Sequence, residues 1–408
     1  MTELSRHWRI VLACFFGVSL STTSIPFYTL GAFTVPLQAE LGWARAEIQA
    51  AMAFLTLGSL LSVPFVGIAI DRFGTRAVGL FSIAVFGLAF MNIGWSTSSL
   101  SSFYLNWTLM AAIGAGTTPI TWTRAINGWF DKQRGVALGF ALAGTGVAGF
   151  VTPQVATYLI EAYGWRNAYI GLGVFPLVVS LPLVFLLLRD PSHGVVGAST
   201  VPQQTSNLTG VSLGTAVGQW KFWAIIIAFF IISFGIGGTI PNLIPLLSDG
   251  GMDLKTAAGV AGSIGLSVIF GRVIAGFLID RFWAPAVAFF VFSMPALSCW
   301  VLSGEVSNIA VATIAAVLIG LAAGAEFDLI AYLTSRYFGL KNYGKIYAWP
   351  FAAFSIGAGI APFLFGKVHD SYGNYQPILL AAALFYVAGS AILLTLGRYP
   401  RFDGESGT

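Results

Sequence analysis

Gly67-Ile68-Ala69-Ile70-Asp71-Arg72-Phe73-Gly74-Thr75-Arg76 stands between two long uncharged runs, 48–70 and 77–123, and a shorter copy, Gly276-Phe277-Leu278-Ile279-Asp280-Arg281-Phe282, recurs 209 residues later. At the same offset Glu161-Ala162-Tyr163-Gly164 falls on Asp370-Ser371-Tyr372-Gly373, and Pro36 and Pro153 fall on Pro245 and Pro362. Trp129-Phe130 meets Tyr337-Phe338 one residue out of register. Self-similarity at one fixed offset over most of each half marks an internal duplication.

What is duplicated follows from composition. The 408 residues are 57% hydrophobic and 9% charged, with a mean hydropathy of +0.82, whereas soluble domains carry about a quarter charged residues. Uncharged runs long enough to cross about 30 Å of hydrocarbon, roughly 20 helical residues, recur along the whole chain. They are 10–39, 48–70, 77–123, 135–160, 167–188, 222–248, 256–279, 282–304, 306–335, 346–366 and 371–397, with charge interrupting the eighth and tenth spans. The third run holds two spans separated by Ser96-Thr97-Ser98-Ser99-Leu100-Ser101-Ser102, which brings the total to twelve. Six spans return the chain to the side it started from, so the duplication is parallel. Two six-helix bundles related by an axis along the membrane normal are expected, with a site between them near the midplane.

The expected division is a bundle over 1–188, a flexible connection over 189–221 and a second bundle over 222–408. The connection contains Asp190-Pro191-Ser192-His193 and the Gln/Ser/Thr/Asn-rich stretch 199–209. Arg6 and Arg9 precede a first apolar run too long for a cleaved signal. With the N-terminus in the cytoplasm, fourteen of the 20 Lys and Arg fall inside. Arg45, Arg166, Lys255 and Lys367 fall outside, while Arg124 and Arg272 lie within spans. Both termini are therefore predicted to be cytoplasmic. Cys14 and Cys299 sit in apolar spans and support neither a disulfide nor a metal site.

Gly67 to Arg76 resembles the signature loop of the major facilitator superfamily, and Gly276 to Arg281 its second copy. Glu40-Leu41-Gly42-Trp43-Ala44-Arg45-Ala46-Glu47-Ile48, Trp129-Phe130-Asp131-Lys132-Gln133-Arg134-Gly135-Val136-Ala137-Leu138-Gly139 and Tyr163-Gly164-Trp165-Arg166 are similar to the bacterial monocarboxylate porter and oxalate/formate antiporter group. The resemblance covers nearly the whole chain. It implies the major facilitator fold and, as cargo, organic anions. Asp71, Arg72, Arg76, Asp280 and Arg281 are then expected to gate or bias conformations through ion pairs at helix ends.

Charges within spans point to the site, because each costs several kcal/mol in hydrocarbon unless it faces protein or water. Arg272 lies eight residues, about 12 Å of helix, before Asp280. It matches the eighth-helix arginine that binds the substrate carboxylate in monocarboxylate porters, a task suited to a permanently charged fork. A structural salt bridge to the tenth span is the alternative. Two departures from the group stand out: Val268 occupies the place of an aspartate found in animal porters, and the eleventh span has no interior lysine.

Glu326 and Asp328, two residues apart, project about 200° apart, so only one points squarely into a cavity. Asp328 shares its face with Tyr332, Ser335 and Arg336, and is the first choice. Glu326 lies above Leu329, Ile330 and Leu333, an apolar setting. Both are candidates for proton coupling. Arg124, near Thr117 and Thr121, can guide anions, close a gate by ion pairing or snorkel to the interface. Phe27, Tyr28, Trp122, Phe327, Trp349 and Phe351 sit in spans that border the cavity of the resembled fold, although most aromatic residues are expected to pack or face lipid. Thr121, Tyr332, Phe27, Tyr28, Phe327 and Phe351 join Arg272 and Asp328 as candidate substrate contacts.

No Walker loop, paired histidine ligands or nucleophile motif occurs, so neither catalytic residues, a metal, a cofactor nor a nucleic-acid partner is expected. The expected function is proton-coupled symport of a small carboxylate by a monomer in the inner membrane. Exchange or export of an amphipathic compound, and a non-transporting membrane sensor, are the alternatives. Thr152 before Pro153 departs from the Gly-Pro mark of proton-coupled exporters.

Overall fold

The computed structural model describes residues 3–130, 132–190, 209–304, 306 and 308–400. Asp131, Arg401 and the 191–208 part of the connection lie outside them. The described chain is almost entirely helical. In the first half two very long helices, Ala51–Ser96 and Arg134–Phe175, each contain a single break, at Gly74 (φ 83°, ψ 164°) and Gly164 (φ 79°, ψ 162°). That backbone region is open to glycine and strained for other residues. Each break therefore ends one span and starts the next within an aromatic-Gly-x-Arg sequence, Phe73-Gly74-Thr75-Arg76 and Tyr163-Gly164-Trp165-Arg166. The same turn recurs three spans later on the opposite face, as an inverted repeat within the bundle requires.

With those two helices divided, spans 2, 3, 5 and 6 are accounted for. Span 1 is Glu3–Ser19 plus Ile25–Leu41, and span 4 is Leu100–Ile113 plus Pro119–Trp129. The uninterrupted first run expected from the sequence is thus broken. Ser24 Oγ donates to the Val18 carbonyl, and Thr22 bonds Thr117 through its amide (3.0 Å) and its hydroxyl (3.1 Å). Polar side chains there satisfy backbone groups that lipid would leave unpaired. Spans 7–12 are Trp220–Asp249, Leu254–Arg281, Ala284–Leu302, Ile309–Phe338, Tyr343–Tyr372 and Gln376–Leu394. The chain is therefore a twelve-span membrane protein of two six-helix bundles.

The connection expected to be flexible over 189–221 is ordered at its described ends. Asp190 accepts from the Thr75 amide (3.0 Å) and the Arg76 amide (3.1 Å), placing a carboxylate on the positive end of span 3. Residues 209–211 pair with Phe338 and Leu340, and Leu213–Val217 forms a short helix.

We call the face at which span 1 begins and span 12 ends the terminal face. Spans 1 and 7, 2 and 11, and 5 and 8 pack between the bundles. Their close approaches lie at mid-depth or in the half nearer the opposite, far face. Gly31 meets the Pro241 carbonyl, Gly359 meets Thr56, and Gly366 meets the Ala46 backbone. Deeper in, Gly265 meets Gly146 and Gly149. Among the described residues, every hydrogen bond between bundles is also in that half, and none closes the terminal face.

Candidate functional site

Spans 8 and 10 come together through glycine. A Cβ on Gly324 would lie 2.2 Å from the Val268 carbonyl oxygen and 2.9 Å from the Arg272 nitrogen, and one on Gly271 would lie 2.2 Å from the Leu321 carbonyl oxygen. Small residues let the two backbones touch, which is how helices gain contact in lipid. The contact sets Arg272 beside Asp328, Nε to Oδ2 4.0 Å, with 13% and 35% of the side chains exposed. Arg272 Nη1 has no protein partner, so the guanidinium is only partly engaged by its carboxylate. A fork with a free, buried prong, next to a half-exposed carboxylate, is able to receive a second carboxylate.

Glu326 is buried at 4% exposure, and its Oε1 has no partner. Arg272, Tyr28 of span 1 and Tyr386 of span 12 lie within its electrostatic reach. Tyr28 packs against Gly149 of span 5 and edge-on to Phe27, ring centroids 5.2 Å apart. Tyr28 thus brings the first bundle within electrostatic reach of the charged cluster of the second.

Other sequence candidates are placed differently. Tyr332 is half-buried one turn nearer the terminal face, within reach of Tyr399 and unbonded to Arg272. Thr121 is fully buried in the first bundle with its methyl toward Gly79, so the structure does not bring it to Arg272. Trp122 fills the space left by Gly17 and Gly79, and its indole donates to the Thr117 carbonyl at 2.8 Å. It is a packing residue. Phe327 is 38% exposed and lies at a tilt to Phe351, whereas Trp349, 49% exposed, contacts Phe222.

Arg124 pairs with Asp71 of the signature loop. The pair sits at the terminal end of span 2. Arg76 donates to the Phe185 carbonyl at 2.8 Å, and Arg72 lies over the Phe73 ring. In the second copy Arg281 lies over Phe277 and Asp280 is exposed, with no ion pair among the described residues.

The far face carries a charged cluster that the sequence reading did not single out. Arg45, 5% exposed, holds Asp249 of span 7 by two hydrogen bonds of 2.5 and 2.7 Å, and reaches Tyr375 Oη at 3.2 Å. His369 Nε2 is 3.2 Å from the same Asp249. Asp370 accepts from the Arg45 amide (3.1 Å) and the Ala46 amide (2.8 Å), so a carboxylate of one bundle caps a helix of the other. The cluster was hidden because Arg45 lies 204 residues from Asp249 and 325 from Asp370. The only clue was charge at span ends.

A concavity of about 520 Å³ between spans 2, 3 and 4 lies elsewhere. It is lined by Phe65, Val66 and Phe81 with no charged side chain, so it suits hydrocarbon and not an anion.

A family model described as Major Facilitator Superfamily matches residues 10–362. The chain belongs to the Major Facilitator Superfamily. Among its relatives in this superfamily, the oxalate:formate antiporter of Oxalobacter formigenes is 26% identical, over 97% of this chain and 93% of that protein. Monocarboxylate transporter 13 of Bos taurus is 25% identical over 98% and 91%. The 4-hydroxybenzoate transporter PcaK of Pseudomonas aeruginosa is 21% identical over 97% and 94%. A solved bacterial homologue of the human lysosomal transporter Spinster, inward-facing and occupied, shares the fold with a TM-score of 0.73 at 15% identity, covering 97% of both chains. Superfamily membership makes the chain a transporter and not an enzyme.

Proposed function

We propose that this superfamily member moves a small organic carboxylate together with a proton by alternating access, with Arg272 as the carboxylate partner. The observation that carries the reading is the incompletely paired Arg272, 4.0 Å from Asp328 at the seam of the bundles. Three of its relatives bear the names of an oxalate:formate antiporter, a monocarboxylate transporter and a 4-hydroxybenzoate transporter, cargoes whose shared chemistry is a carboxylate.

The charge balance supplies the drive. One arginine faces two carboxylates, Asp328 and Glu326, leaving no surplus positive charge for an anion until one carboxylate takes up a proton. Arg124 does not relax this requirement, since Asp71 engages it. Proton and substrate then favour each other's binding. The bias of basic residues favours cytoplasmic termini, and so a terminal face that looks into the cytoplasm. A monomer suffices, because both bundles come from one chain.

Uptake of a carboxylate into proteoliposomes under an imposed inward proton gradient tests the coupling. Accumulation should vanish when an ionophore collapses the gradient. Accumulation that survives the collapse and needs internal anion would replace symport with exchange, the reading favoured by the resemblance to the oxalate:formate antiporter.

A further inference from the structure

Deepening that reading, and resting on it, we infer that the organic body of the cargo is an aromatic ring, held against a ladder of aromatic side chains that leads from the terminal face to Asp328. Tyr343, Tyr347 and Phe351 follow one another at four-residue intervals along span 11. Their rings are 5.4 Å and then 5.8 Å apart, tilted by only 21° and 30°. Phe351 passes the ladder to Phe327 of span 10 at 5.9 Å and 38°, and Phe327 meets Phe354 at 5.1 Å. Tyr343 opens span 11, and Phe351 lies eight residues, about 12 Å, further in. Phe327 adjoins Asp328 in sequence, and Tyr347 is within that carboxylate's electrostatic reach. The ladder thus ends where Arg272 would hold a carboxylate.

An aromatic stripe at helical spacing is ordinarily core, and a packed core would bury it. Only Phe354 is buried here, at 7% exposure. Tyr343, Tyr347 and Phe351 are half-buried, and Phe327 keeps 38% of its surface open. Span 10 packs against spans 7, 8, 9 and 11. Phe327 keeps its exposed ring on a span packed among four others, one residue from a charged side chain. Half-open rings at small tilts present faces and edges on which an incoming ring stacks. Aromatic pairs gain affinity beyond the area they bury. An aliphatic acid gains only the area. Arg272 fixes the carboxylate end, and the ladder selects what is attached to it.

Benzoate and cyclohexanecarboxylate, matched in heavy atoms and charge, are the probes, with propionate as the short acid. Binding to the purified full chain is measured by titration calorimetry. Benzoate should bind roughly two- to twelve-fold tighter than cyclohexanecarboxylate. Phe351→Leu should reduce that ratio toward one, and Tyr347→Phe, which keeps the ring, should preserve it. Equal affinities in the wild type, or a ratio untouched in a folded Phe351→Leu, overturn the inference. Arg272→Ala separates the two readings. Loss of all three acids in that variant with no ring preference in the wild type leaves the carboxylate site standing and removes the ladder. A ring preference with all three affinities unchanged in Arg272→Ala removes the carboxylate site alone. No binding of any acid to the wild type overturns both.

Discussion

Arg272 is held in place by its surroundings and not by a full set of partners, and its variants should show this. Arg272→Lys keeps the charge but loses the fork, so carboxylate affinity should fall about tenfold or more, as for loss of one charge-assisted hydrogen bond. Isothermal titration against a panel of carboxylates checks this, and unchanged affinity in Arg272→Lys or Arg272→Ala would remove the residue from the site. Asp328 and Glu326 divide by environment. Asp328 is open to the cleft, whereas Glu326 is sealed within the second bundle. If Asp328 takes up the coupling proton, Asp328→Asn should bind substrate with little pH dependence and lose uphill accumulation while retaining exchange. Glu326→Gln should affect coupling less. The reverse ranking in gradient-driven uptake would exchange their roles.

At the scale of helices, the crossing of spans 8 and 10 sets the geometry that those residues share. Gly324→Val would force side-chain atoms into the Val268 carbonyl and the Arg272 backbone. Overpacking of this kind costs about 1–3 kcal/mol. We expect weakened substrate binding and a lower melting temperature, whereas Gly276→Val, with open space around its Cβ, should change neither. Equal effects would show that the crossing does not position the site. The two signature loops also differ as elements. Asp71 engages Arg124, while Asp280 is unpaired among the described residues. Asp71→Asn should therefore slow transport with detergent-phase binding nearly unchanged, and Asp280→Asn should do less. Comparable losses in both variants would sever the difference in pairing from the effect on transport.

For the whole molecule, the far-face cluster ties the two bundles together on one side. Arg45 joins Asp249, Tyr375 and, through its amide, Asp370, all from the other bundle. No comparable bond closes the terminal face among the described residues. Breaking the pair should favour opening on the far side, because an ion pair with one buried member loses more than an exposed one when a partner is removed. Gln49 is fully buried beneath the cluster and bonds the Pro241 carbonyl at 3.4 Å. In a background without Cys14 and Cys299, a cysteine at position 49 should react with an impermeant reagent several-fold faster after Arg45→Ala. An unchanged rate would show that the cluster is not what keeps that side shut. The rocking that exchanges the two openings would pivot on Gly146, Gly149 and Gly265, where backbones of the two bundles touch.

Hydropathy, the 209-residue repeat and the signature loops were enough to establish a twelve-span, two-bundle membrane protein, because lipid leaves a chain few ways to satisfy its backbone. The charges at Arg272, Glu326 and Asp328 were legible for the same reason: an ionised group inside a span is expensive and rarely accidental. Even the split between a sealed Glu326 and an open Asp328 follows from 100° of rotation per residue and the neighbours on each face. What no local pattern contained was partnership across the bundles. Nothing within either segment says that Arg45 meets Asp249, that Arg124 serves Asp71 and not the cavity, or that Thr121 turns inward against Gly79. Helical period assigns a residue to a face of its own helix. Which neighbour covers that face depends on the packing of all twelve spans, and so the far-face cluster, the Arg124–Asp71 pair and the succession of aromatic rings were decided only by tertiary structure.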